Sequence, residues 1–221
     1  MSFATRSFFL RPAGIMGQGD GMRLTALFLI TAVAFCASAA IAEPEWFTAR
    51  FTAAAMERTS HRVRYDGSYI KIPYPGGDVP ADMGVCTDEV IRAYRKLGID
   101  LQKEVHEEMA AHFSAFPKAW GMKGPDKNID HRRVPNLQTF FKRRGAALPV
   151  TQNPADYKPG DLVTWMVDGS RPHIGMVVAE RSTDGKRPMI VHNIGMGPMM
   201  EDMLFEYPIT GHYRYTGERK L

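Results

Sequence analysis

Residues 161–179 read DLVTWMVDGSRPHIGMVVA and contain two apolar segments separated by Asp168-Gly169-Ser170. Apolar and β-branched residues on either side of a turn signal predict two β-strands, at 161–167 and 173–179. Two further segments of the same kind follow, at 188–193 and 209–215. The C-terminal part of the chain is therefore predicted to form four strands.

The segments before these strands carry a helical pattern instead. Apolar residues recur at near-helical spacing over residues 43–61 and 87–97, and further helices are predicted over 101–113 and 135–144. Gly98 and Gly145 stand where the second and fourth helices should end. Helices first and strands afterwards predict an α+β fold, with N-terminal helices packed on one antiparallel β-sheet.

The amino-acid composition indicates which class of protein this is. The chain has 221 residues, of which 44% are apolar and 24% charged, as expected for one globular domain rather than a disordered chain or coiled coil. The net charge of +4 comes from basic and acidic residues that are mixed along the chain. Because a nucleic-acid binder usually shows a basic run or stripe, no nucleic-acid partner is expected.

The N-terminus resembles a secretory signal peptide. Arg23 precedes an apolar run over residues 24–37, and Ala40-Ile41-Ala42 has the small-x-small form of a cleavage site. The alternative is a membrane anchor, for which the run is short, since a span needs about 20 residues. We therefore expect a signal peptide over 1–42, with 1–21 as an over-long start if Met22 is the initiator. The remainder, 43–221, is predicted to be one periplasmic or secreted domain, monomeric and free of the membrane.

One cysteine remains after this cleavage, because Cys36 leaves with the signal peptide. Cys86 stands at the predicted start of a helix, where unpaired N–H groups and the helix dipole favour a thiolate. The same N–H groups could stabilise an oxyanion if the sulfur attacked a carbonyl. Cys86 is thus a candidate nucleophile, and the alternative is a buried structural cysteine.

Two histidines downstream are candidate partners for the thiol. His173 stands at the beginning of its predicted strand and could act as general base, then protonate the leaving amine. His192 and Asn193 end the next strand, and we expect His192 to orient His173, with Asn193 in reserve. Taken alone, each histidine is more often a surface or hydrogen-bonded structural residue than a catalytic one.

The order of these residues resembles the NlpC-type papain-like cysteine peptidases of bacterial cell walls. That family has a cysteine at a helix start, then Gly-Asp-Leu-Val, then His-Val-Gly-Ile, and then a His, Asn or Gln. Cys86, His173 and His192 match these positions in turn. The family also places a tyrosine hydroxyl beside the oxyanion, in a Pro-Tyr-x-x-Gly-Gly-like segment, and Tyr74 in Pro73-Tyr74-Pro75-Gly76-Gly77 resembles it.

A closer resemblance, over residues 56–215, is to the bacterial domain of unknown function 1287. It rests on DMGVCTD at 82–88, NIDHRRVPNL at 128–137, GDLVTW at 160–165 and VHNIG at 191–195. This family name brings no established substrate. Val85 and Thr87-Asp88 depart from the NlpC pattern of Asp before the cysteine and Ser-Gly after it. Residues 101–144 form an insertion between nucleophile and base, well placed to build one wall of a cleft.

Together the two resemblances imply a papain-like core and a secreted cysteine hydrolase. It would cleave an amide bond, in peptidoglycan stem peptides or wall-derived peptides, through a triad of Cys86, His173 and His192 with Tyr74 beside the oxyanion. The alternatives are a non-catalytic wall-peptide-binding module and an acyltransferase that uses a thioester. No organic cofactor is expected, and no metal, because zinc-site spacings such as Cys-x-x-Cys are missing.

Other charged residues near these motifs have more than one interpretation. His131-Arg132-Arg133 could bind a substrate carboxylate, although a solvated loop is the favoured interpretation. Asp78, Asp82 and Asp88 could bind an amine, cap a helix or lie at the surface. Strand alternation places His212 on the face of Arg214, which predicts a surface role.

Overall fold

The structure is a computed structural model that describes residues 45–217, which belong to one compact unit, Ile41–Leu221. The predicted signal peptide lies outside the described residues. Within the described residues there are four α-helices: α1 Glu45–Arg58, α2 Cys86–Lys96, α3 Leu101–His112 and α4 Val134–Arg143. The strands are β1 Arg64–Tyr65, β2 Met83–Gly84, β3 Ala147–Leu148, β4 Leu162–Val167, β5 Arg171–Arg181, β6 Pro188–His192, β7 Met199–Glu201 and β8 Ile209–Tyr213.

Six of these strands form one sheet in the order β3-β8-β4-β5-β6-β7, with every neighbouring pair antiparallel. β1 and β2 form a separate parallel pair. The predicted α+β class, with helices packed on an antiparallel sheet, is confirmed. The two-residue strands and β7 were not predicted, because segments of two or three residues are too short to show alternation.

The main core lies between the helices and one face of the sheet. Phe51 of α1, Ile91 of α2, Phe141 of α4 and Ile174 of β5 belong to one buried apolar cluster, which also contains Cys86. Burial of such side chains contributes roughly 1.5–3 kcal/mol each relative to leaving them exposed. The nucleophile candidate is therefore anchored in the best-packed part of the domain.

Helix α2 is buried on its polar face as well as on its apolar face, since every residue from Cys86 to Tyr94 is buried. Three charged side chains on this face meet oppositely charged partners: Asp88 with Arg132, Glu89 with Arg58 and Arg92 with Asp78. Buried charges need such partners because an isolated ion pays a large desolvation cost. These pairs fix the helix that begins at the candidate nucleophile.

Within residues 45–217, no helix is both long and apolar enough to cross a membrane.

Candidate active site

Cys86 is the first residue of α2, directly after Val85, whose extended backbone stands outside the helix. Asp88 in the first turn accepts a hydrogen bond from the Val85 N–H at 2.7 Å, which holds the helix start in place. The backbone N–H groups of Thr87 and of Ile174 on β5 favour the thiolate and lower the pKa of Cys86, and Cys86 and Ile174 pack in one buried cluster. The cysteine therefore joins the helix N-terminus to the strand that carries His173.

The surroundings of Cys86 disfavour its thiolate form. Cys86 is only 4% exposed, and burial raises its pKa to about 11, with the Asp88 carboxylate acting in the same direction. The N–H groups of Ile174 and Thr87 and the Tyr65 hydroxyl oppose this rise. The sequence predicted a lowered pKa from the helix N-terminus alone, and that prediction is wrong because desolvation outweighs the groups that favour the thiolate.

His173 lies on β5. Ile174, the next residue along the strand, belongs to the same buried apolar cluster as Cys86. The imidazole is buried against Trp165, its β4 partner, with ring centroids 6.0 Å apart. Burial, with smaller contributions from His192 and Arg171, lowers the pKa of His173 to about 3. The free imidazole can therefore accept a proton, although a pKa this far below neutral pH makes it a weak base until its surroundings change.

His192 ends β6 and contacts His173 directly. Its Nδ1 lies 3.0 Å from His173 Nε2, and the two rings meet edge to face. Gly175 makes this approach possible, since a Cβ at that position would stand 3.1 Å from the His192 Cβ and 2.6 Å from a methyl of Ile190. Asn193, the reserve candidate, instead accepts a hydrogen bond from Gly195 N–H within its own loop.

Glu201 on β7 extends this row of contacts and was missed by the sequence analysis. Its Oε2 lies 2.8 Å from His192 Nε2. Burial lowers the pKa of His192, and the Glu201 carboxylate acts in the opposite direction. The only sequence signal was an acidic residue soon after the glycine-containing segment 194–198, within a strand too short for pattern analysis.

The tyrosine beside the thiol is Tyr65 rather than Tyr74. The Tyr65 hydroxyl interacts with both the Cys86 thiol and the Cys86 backbone N–H, and burial together with the thiol raises the tyrosine pKa. Tyr74 instead donates to Glu107 at 3.4 Å and packs its ring against His106. The expectation for Tyr74 is corrected accordingly, because its hydrogen bond and ring contact are to α3.

The insertion between nucleophile and base is tied to α2 by buried contacts. Arg132 binds Asp88 in a bidentate ion pair at 2.8 and 2.9 Å, and Thr87 donates to the Arg132 carbonyl at 3.0 Å. His131 is also buried, and burial lowers its pKa to about 3. The solvated-loop interpretation is therefore wrong for these two residues, whereas Arg133 is partly exposed and stacks on Trp120.

His212 is buried and not a surface residue as predicted. Its Nε2 lies 2.7 Å from Asp161, and its Nδ1 lies 3.1 Å from the Pro149 carbonyl. Arg214 binds the same carboxylate at 2.6 and 2.9 Å. His212 and Arg214 share a face, as alternation predicted, but both bind the aspartate of the Gly-Asp-Leu-Val motif, and only the predicted surface role of His212 is wrong.

The chain belongs to the family described as domain of unknown function DUF1287, whose model matches residues 52–215. This membership agrees with the resemblance drawn from the motifs. A particular relative is the protein described as uncharacterized protein YijF of Escherichia coli (strain K12). It is 49% identical over 161 residues, covering 73% of this chain and 78% of the relative.

Two solved structures resemble this chain at lower levels of similarity. One is NlpC1 from Trichomonas vaginalis, with 17% identity and a TM-score of 0.42 over 79% of this chain and 46% of that one. The other is a Staphylococcus aureus protein described as similar to a lipoprotein of the NLP/P60 family, with 12% identity and a TM-score of 0.41 over 82% and 45%. The chain thus spans less than half the length of these two proteins, and neither likeness assigns a role to any residue.

Proposed function

We propose that this protein is a secreted or periplasmic cysteine hydrolase that cleaves an amide bond in peptidoglycan stem peptides. Two contacts carry the proposal. Cys86 packs against β5, the strand of His173, and Nε2 of His173 lies 3.0 Å from Nδ1 of His192. Nucleophile, base and orienting group are the three parts that acyl transfer through a thioester needs.

The first half-reaction begins from a neutral thiol and a neutral imidazole. As the Cys86 sulfur bonds to the amide carbon, its proton moves to His173, and the carbonyl oxygen becomes an oxyanion. The Cys86 N–H at the start of α2 is the donor placed for that oxygen. The Tyr65 hydroxyl, which interacts electrostatically with Cys86, is a second group that can donate to the oxyanion.

Collapse of this intermediate breaks the carbon–nitrogen bond, and the leaving amine takes the proton from His173. The acyl group then remains on Cys86 as a thioester. Water loses a proton to His173, attacks the thioester carbonyl and releases a carboxylic acid, which returns the thiol. The substrate class rests on the sequence resemblance to wall peptidases and on the predicted signal peptide.

Digestion of purified muropeptides tests the proposal. We expect the protein to release an amine and a carboxylic acid detectable by mass spectrometry, and Cys86→Ala to fold normally but release neither. Products carrying an acyl group on an added amine rather than on water would identify an acyltransferase instead. An active Cys86→Ala variant would contradict the role of the thiol.

A second candidate is a non-catalytic module that binds wall peptides in the same cleft. The observation in its favour is the near-complete burial of Cys86, which is only 4% exposed. In this case muropeptides would bind both the wild type and Cys86→Ala, and neither would change them.

A further inference from the structure

Glu201 is the one carboxylate in direct contact with the histidine pair among the described residues. Its Oε2 lies 2.8 Å from His192 Nε2, and its side chain is 46% exposed while that of His192 is almost fully buried. We propose that Glu201 is a positioning residue that selects the one arrangement of hydrogens in which Nδ1 of His173 is free to take the thiol proton. The effect on catalysis rests on the proposed function, whereas the arrangement of hydrogens does not.

The contacts themselves lead to this arrangement. An ionised carboxylate can only accept, so His192 Nε2 carries the hydrogen that binds Glu201. A neutral imidazole has one N–H, so His192 Nδ1 is an acceptor. His173 Nε2, 3.0 Å away, must then be the donor of the bond between the rings, which leaves Nδ1 of His173 with its lone pair.

Without Glu201, the two imidazoles have a second arrangement that satisfies the same ring-to-ring bond. In it, His192 Nδ1 donates to His173 Nε2, and the hydrogen of His173 lies on Nδ1. A protonated Nδ1 cannot accept the proton of Cys86. Glu201 therefore excludes an inactive tautomer, in the way that the carboxylate of a catalytic triad fixes its histidine.

The carboxylate has a second effect once His173 is protonated. A proton gained by His173 can pass to His192 along their hydrogen bond, and the carboxylates of Glu201 and Glu206 raise the pKa of His192. Burial, His192 and Arg171 act against a positive charge on His173 itself. Removal of the Glu201 charge should therefore slow the step that protonates His173 and leave substrate binding nearly unchanged.

Nitrogen-15 NMR of the imidazoles tests the tautomer without requiring any activity. In the wild type we expect the hydrogen on Nε2 in both His173 and His192. In Glu201→Ala we expect a second population with the hydrogen on Nδ1 of His173. Asp202→Asn is the matched control, since this neighbouring carboxylate pairs with Arg187 and should leave both tautomers unchanged.

Kinetics on the amide substrate provide the second readout. Loss of a carboxylate behind a functional histidine typically costs about 10- to 100-fold, and we expect a fall of this size in kcat with little change in KM. Glu201→Gln, which keeps an acceptor oxygen but loses the charge, should show an intermediate fall and also serves if the alanine variant does not fold. Wild-type tautomers and kcat in Glu201→Ala would overturn the inference. If the wild type cleaves no amide, the proposed function fails, and the NMR result still decides the role of Glu201.

Discussion

The reactivity of Cys86 towards a small alkylating reagent is the sharpest consequence of its environment. Burial raises its pKa to about 11. At pH 7.5 such a thiol is ionised in roughly one molecule in 3,000, compared with about one in ten for a cysteine with the ordinary pKa near 8.5. Because the thiolate is the reactive species, iodoacetamide should modify Cys86 about 300-fold more slowly than a free thiol peptide.

The measurement is the rate of alkylation by mass spectrometry between pH 6 and pH 10.5. A Cys36→Ser chain leaves Cys86 as the one thiol, since the sequence contains two cysteines. The same chain unfolded in urea is the matched control and should react at the ordinary rate. A fast reaction at neutral pH with a midpoint below pH 7 would show a preformed thiolate–imidazolium pair and refute the reasoning that burial controls the thiol.

Three further perturbations test the surroundings of the site. The pKa values of His131 and His173 are about 3 in the folded protein, below the ordinary value near 6.5. The free energy of unfolding is therefore highest above pH 6.5 and decreases as the pH falls towards 3. Each histidine should lower it by about 3 kcal/mol at pH 4 relative to pH 7, and equal urea unfolding midpoints at the two pH values would contradict this. Arg132→Gln leaves the buried Asp88 carboxylate without its partner and should lower the free energy of unfolding by about 3–5 kcal/mol, measurable by urea titration, whereas a loss below 1 kcal/mol would argue against a buried pair. Gly175→Ala inserts a methyl 2.6 Å from a neighbouring side chain, so it should cost about 1–3 kcal/mol in thermal unfolding and separate the two imidazoles, and unchanged histidine NMR spectra would count against that contact.

The sequence predicted the architecture well where patterns were long. Four helices and four strands were located to within a few residues, because 5 to 14 residues are enough for period-3.6 or period-2 patterns to emerge. β7 has three residues, and for that reason its Glu201 was not identified. Side-chain partners across the fold were equally hidden, since nothing local to Asp161 or His212 indicates that they meet.

The electrostatic prediction for Cys86 failed for a different reason. Position at a helix N-terminus is readable from sequence, and its effect on a thiol is favourable to ionisation. The burial of that thiol depends on the packing of α2 against β5, which only the tertiary structure brings together. The sequence therefore indicates the effect of the helix N-terminus on the thiol pKa, but not the opposing effect of burial.

The ion pair between Asp88 and Arg132 gives the inserted segment a part in setting the reactivity of the nucleophile. Asp88 lies two residues from Cys86 and disfavours its thiolate, and the guanidinium that offsets this carboxylate comes from the insertion. Exchange of that segment between relatives would therefore change how far the Asp88 charge near the sulfur is neutralised, as well as the wall of the cleft. Chimaeras should keep the acidic and basic partners from the same parent, or the thiol will ionise differently even where its immediate neighbours are identical.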